Sequence, residues 1–120
     1  MGYPLIVWIT LLNVKDDGSG RIGLYAEVGP LESHDVRAGI IREIERVAEE
    51  QDLSKIKFQR SAADEGKKYS KFLKENIANV DDVQDHEKIA TAMTMLISRF
   101  KKEFEAISLI LPQFKKHGAG

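Results

Sequence analysis

Leu5-Ile6-Val7-Trp8-Ile9-Thr10-Leu11-Leu12-Asn13-Val14, then Lys15-Asp16-Asp17-Gly18-Ser19-Gly20, then Arg21-Ile22-Gly23-Leu24-Tyr25-Ala26-Glu27-Val28: this stretch decides the fold. The last segment alternates. Ile22, Leu24, Ala26 and Val28 share one face, and Arg21, Gly23, Tyr25 and Glu27 the other, which is the period of a strand with one buried side. The first segment is β-branched or aromatic and apolar on both alternating faces, which predicts a strand central in a sheet or covered on both sides. The turn formers between them close a β-hairpin. Gly29-Pro30 ends the second strand, because proline has no amide to donate.

Downstream the period lengthens. From Asp35 to Gln51, Val36, Ile40, Ile41, Ile44, Val47 and Ala48 form an apolar stripe, with Arg37, Arg42, Glu43, Arg46, Glu49 and Glu50 opposite, so a helix is expected with Ser33 or Asp35 as its cap. Lys55–Gln59 reads as a short strand with Ile56 and Phe58 on one side, and Ser61–Gly66 as a polar loop. Tyr69, Phe72, Leu73 and Ile77 have the spacing of a second, shorter helix. The acidic link Asp81-Asp82-Val83-Gln84-Asp85 puts negative charge where a long last helix begins. Ile89, Met93, Leu96, Ile97, Phe100, Phe104, Ile107 and Leu111 form its stripe until Pro112 stops or kinks it. The sum is one α+β domain over residues 1–120, in the order ββαβαα, with a frayed tail at 115–120.

Composition bounds the function classes. The chain has 120 residues, 42% hydrophobic and 31% charged, enough to bury a core without metals or disulfides. It has no cysteine, which excludes a disulfide scaffold, a zinc–thiolate site and a thiol nucleophile. The apolar N-terminal run is shorter than the roughly 20 residues a membrane span needs. It also lacks the basic segment and cleavage site of a signal peptide, so a cytoplasmic protein with no membrane partner is expected.

The residues offer few catalytic signatures. No nucleophile elbow, Walker pattern or dinucleotide fingerprint occurs, so neither a cofactor nor a catalytic residue is assigned. His34 lies before the first helix, His117 in the tail, and His86 among Asp81, Asp82, Asp85 and Glu87; consecutive residues at a helix start splay, so no metal site is expected there. Glu65-Gly66-Lys67, with Asp52 or Asp64 upstream, matches the Glu-x-Lys of metal-dependent nucleases, whose chemistry needs its ligands held rigidly on a strand. Here the tripeptide falls in a stretch with no strand pattern.

Charge distribution is more informative than total charge. The net charge of −1 averages over a segment from Lys55 to Lys74 whose local balance is +5. Lys57, Arg60, Lys67, Lys68, Lys71 and Lys74 are the candidate phosphate or nucleic-acid contacts, with Tyr69 available for stacking. A second expectation comes from apolar excess. Trp8 on the first strand and Met95, Leu109 and Ile110 off the main stripe of the last helix are candidates for self-association or a partner domain.

The hairpin Arg21–Pro30, Arg37, Ile56-Lys57-Phe58, Lys67-Lys68-Tyr69-Ser70 and the helix around Met95-Leu96-Ile97 and Phe100 together resemble the C-terminal segment of bacterial and phage PD-(D/E)XK nuclease-like proteins of unknown function. The resemblance spans roughly Leu5 to Leu111. It implies an accessory piece of a DNA-processing or defence protein with the catalytic core elsewhere, and this chain carries no strand-borne Asp…Glu-x-Lys set. The expectation is a non-catalytic binding or assembly module; the alternatives are a nucleic-acid-binding module using Lys55–Lys74 and a metal-dependent nuclease using Asp64, Glu65 and Lys67.

Overall fold

The computed structural model describes the backbone of residues 5–118 and the side chains of residues 5–110. In chain order the elements are β1 (Ile6–Leu12), β2 (Gly20–Val28), α1 (His34–Glu50), β3 (Ser70–Lys71), β4 (Ile77–Val80), α2 (His86–Arg99) and α3 (Lys101–Gly118). The class is the expected one, an antiparallel sheet with three helices. β2 is its centre. β1 runs along one edge of β2, while the other edge is shared by β4 against Gly20–Gly23 and β3 against Glu27–Val28.

The hairpin forms as its turn chemistry dictates. Asp17 accepts from the amide and hydroxyl of Ser19 at 2.9 and 2.6 Å, which holds its carboxyl below the usual carboxylate range. Gly18 supplies the positive φ of 89° that the loop requires. The inward face of β2 is then covered in two halves. α2 lies over Ile22 and Leu24 together with Ala78 and Val80 of β4; α1 and α3 lie over Ala26 and Val28. Leu73 and Phe104 touch both clusters and join them.

Three helix ends have local causes. Ser33 caps α1 by accepting from Val36 N–H at 3.2 Å, and Asp85 caps α2 by accepting from Glu87 and Lys88 N–H. At the far end of α1, Leu53 N–H donates to Ala48 O at 2.7 Å and Asp52 N–H to Glu49 O at 3.3 Å. Asp52 takes φ 57° to allow it, with Leu53 buried, which is a Schellman closure using aspartate where glycine is usual.

Three expectations are corrected. The segment Tyr69–Ile77 is not a helix: Ser70–Lys71 and Ile77–Val80 pair with β2, and Glu75 at φ 55° turns the chain between them. The segment Lys55–Gln59 forms only a single bridge, Ile56 to Leu73. The long last helix is two helices, broken at Phe100, whose fully buried ring sits in the α2 cluster; α3 then turns toward α1 and runs past Pro112 to Gly118. The fraying expected at 115–120 concerns side chains, and at 119–120 whole residues, outside those described.

A fourth correction is energetic. Arg37, placed by its spacing on the polar side of α1, is only 3% exposed. Its guanidinium donates to Gly29 O (3.0 Å), Val28 O (3.2 Å), Ala62 O (2.7 Å) and Ser70 Oγ (2.9 Å). Ser70 Oγ donates in turn to Ala62 O at 3.0 Å. All four acceptors are neutral, and burial alone pushes the guanidinium below the ordinary arginine range while it stays charged. Arg37→Met removes four buried hydrogen bonds, leaving Gly29 O without its donor while Ala62 O keeps Ser70 Oγ, and should lower unfolding free energy by about 3 kcal/mol, read from urea midpoints at unchanged slope. Arg37→Lys, with a point charge instead of a fork, should fall between the two. Asp52→Gly should have the opposite sign and stabilise by about 0.5–1 kcal/mol, because glycine removes the side-chain cost of the left-handed region.

Candidate functional site

Among the described residues, the helices pack on the face of the sheet that carries Ile22, Leu24, Ala26 and Val28. The opposite face carries Ile6, Trp8, Thr10 and Leu12 from β1, Arg21, Gly23, Tyr25 and Glu27 from β2, and Lys71 from β3, by the alternation of side chains along paired strands. Trp8 stands directly opposite Tyr25, and the two rings stack with centroids 5.3 Å apart and planes 21° apart. The Lys71 ammonium lies 5.0 Å from the Tyr25 ring centre and 5.6 Å from that of Trp8. Gly23 makes this possible, since a Cβ there would come within 2.6 Å of Tyr25 Cε2. An alanine at Gly23 would push the ring out of its place along the strand.

Beside this cluster is an open groove lined by Glu27, Gln59, Ala62, Lys67, Tyr69, Ser70 and Lys71. Tyr69 is 56% exposed at its rim. Of the six basic candidates, Lys67 and Lys71 are therefore brought together here with two aromatic neighbours, Tyr25 and Tyr69. The helical face expected to align Lys67, Lys71 and Lys74 does not exist: Lys67 lies in a turn, Lys71 on β3, and Lys74 beyond β3 where its amide donates to Lys55 O. Lys57, Arg60 and Lys68 are exposed on separate stretches of the same irregular segment. Lys55 is drawn instead toward the end of α2, its Nζ 3.5 Å from Arg99 O.

Asp64, Glu65 and Lys67 lie on the exposed turns after Arg60, off any strand, and Asp52 is spent on closing α1. His34 and His86 are exposed first residues of α1 and α2; His117 lies among the residues whose side chains are not described. Among the described residues, no three His, Asp or Glu side chains converge as metal ligands would. No helix among them is long and apolar enough to cross a membrane. Of the self-association candidates, Met95 is 45% and Leu109 75% exposed. Ile110 is a correction: it is 3% exposed and belongs to the cluster under α1, because the break at Phe100 rotates the stripe of α3.

The strand expected to be central or covered on both sides is an edge strand, paired with β2 alone among the described residues. β1 contains no charge, proline or glycine, yet only one of its sides is paired among the described residues. Backbone parity identifies the free groups. Leu24 N–H donates to Asn76 O and Ala26 O accepts from Phe72 N–H, so the even-numbered residues of β2 serve β4 and β3. The odd-numbered ones serve β1 through Ile6, Trp8, Thr10 and Leu12. The N–H and C=O groups of Val7, Ile9 and Leu11 therefore point away from the sheet. Val7 and Leu11 are also 46% and 44% exposed on the helix-bearing face. The two-sided apolarity of the strand is the signal: it reads as centrality or cover on both sides and, at Trp8, as a self-association surface, without placing Val7 and Leu11 on a free edge.

Comparison with known proteins finds no matching family model, curated protein or solved structure, so the functional reading rests on this geometry. One contact can be measured directly. A double-mutant cycle of Lys71→Met with Trp8→Leu should give a coupling of about 0.5–1 kcal/mol in urea unfolding, the range for an exposed cation over a ring. A coupling indistinguishable from zero would mean that Lys71 does not rest on the aromatic pair in solution.

Proposed function

We propose that this chain is a non-catalytic assembly module that pairs with a second copy through the free edge of β1. The observation that supports it is an uncharged, two-sided apolar strand in an edge position. Unpaired edges are templates for other strands, and proteins that must stay apart protect them with charge, proline or bulges. Ile6–Leu12 has none of these.

The register follows from the free groups. An antiparallel pair about a two-fold axis must match outward-pointing residues with each other, and the register that matches all of Val7, Ile9 and Leu11 is the one centred on Ile9. It sets Ile9 against Ile9 and Val7 against Leu11, and every outward amide and carbonyl of the three finds a partner. Each exposed Val7 then covers an exposed Leu11 on the helix-bearing face, while Trp8 meets Thr10 on the other. The result is one continuous eight-stranded sheet. Under the family resemblance, such a pairing piece would belong to a larger DNA-processing assembly whose catalytic groups lie outside this chain.

Sedimentation should give twice the chain mass of 13.5 kDa, and the amides of Val7, Ile9 and Leu11 should exchange slowly with solvent. Val7→Glu/Leu11→Glu places like charges opposite each other and should yield a folded monomer with fast exchange at Ile9. Val7→Lys/Leu11→Glu places opposite charges together in this register and should restore the dimer. A wild-type monomer at high concentration, or a dimer untouched by the double glutamate, would overturn the proposal.

A further inference from the structure

We infer that the open sheet face around Trp8, Tyr25 and Lys71 is a binding platform for single-stranded nucleic acid. This concerns the face of the sheet rather than its edge, and does not depend on the pairing proposed above. Three observations converge. The stacked rings of Trp8 and Tyr25 lie on the face opposite the one on which the described helix side chains pack. The Lys71 ammonium is held within 6 Å of both ring centres, so a phosphate attracted to it brings its base to the aromatic pair. The adjoining groove continues the same chemistry, with Tyr69 exposed at its rim and Lys67 within it.

The alternation of ring and cation selects the class of ligand. Every nucleobase has a π-face to stack, and each nucleotide adds a phosphate for a lysine; a duplex hides those faces inside its own stack. An acidic peptide would satisfy Lys67 and Lys71 but has no use for the rings. Glu27 is the one acidic side chain lining the groove, and it stands opposite Lys71 across the strands without an ion pair between them. It leaves the local balance positive.

The chain reports on itself, because Trp8 is its single tryptophan. Titrating the full chain with an oligothymidine of ~12 nucleotides, within the span such platforms occupy, should quench Trp8 fluorescence to saturation. The matching duplex should bind more weakly and polyglutamate should not quench. Affinity should fall as salt rises, with a logarithmic slope of about −0.7 for each phosphate engaged. By anisotropy of a labelled oligonucleotide, Lys67→Ala and Lys71→Met should each make that slope shallower by about 0.7. Tyr69→Ala should weaken binding roughly 5- to 100-fold, the cost of one lost base stack, and Lys101→Ala on α3 should change nothing. Absence of quenching at low salt, equal affinity for duplex, equal quenching by polyglutamate, or lysine variants with an unaltered slope would each overturn the inference.

Discussion

The buried Arg37 guanidinium is the constraint on which the remaining structure turns. From one position on α1 it binds the last carbonyls of β2, the carbonyl of Ala62 in the long irregular connection, and the hydroxyl of Ser70 at the start of β3. β3 is only two residues long, too short to hold its place by ladder bonds alone. The connection from Asp52 to Tyr69 has no regular hydrogen-bond ladder of its own. Beside the Ile56–Leu73 bridge, what ties the two together is a cation that cannot shed its charge and must find acceptors once buried. Lys67, Tyr69 and Lys71 ride on this anchored segment, so the groove they line depends on a side chain on the opposite face of the sheet.

The sheet divides its work by position. β2 is buried along its inward face and paired on both sides, with β3 and β4 placed end to end on one of them. That arrangement spends two short strands on one side of the centre and leaves the longer β1 as an edge. The helices follow the same bias. α2 covers the half of β2 near β4, α1 and α3 the half near β3, and Val7 and Leu11 stay exposed among the described residues. One strand therefore carries both surfaces of functional interest: its outer backbone and apolar flank, and on its other face the tryptophan that stacks on Tyr25.

Legibility varied with the range of the interactions involved. The hairpin was readable because its turn residues and period of two act within a few positions, and α1 because its stripe and Ser33 cap do the same. Tyr69, Phe72, Leu73 and Ile77 have helical spacing, yet the free amides and carbonyls of β2 drew this segment into strands, an override that local spacing cannot express. The break at Phe100 has no glycine or proline to announce it; burial of the Phe100 ring and the packing of α3 against α1 set it. Arg37 is a charged residue at a helix position beside other charged residues, and nothing local separates it from Arg42 or Arg46. Its burial depends on carbonyls 8, 9 and 25 residues away.

By itself, the sequence determined an α+β chain with an antiparallel hairpin, capped helices and a basic segment between Lys55 and Lys74, because periodicity, turn chemistry and helix caps are short-range effects. Only the tertiary structure decided which strand is central, which arginine is buried, and which of the basic residues stand beside aromatic rings. Those outcomes depend on strand pairing and desolvation between residues distant in the chain. The same apolar pattern that suits a strand buried on both sides also suits an exposed edge strand, and pairing alone distinguishes them.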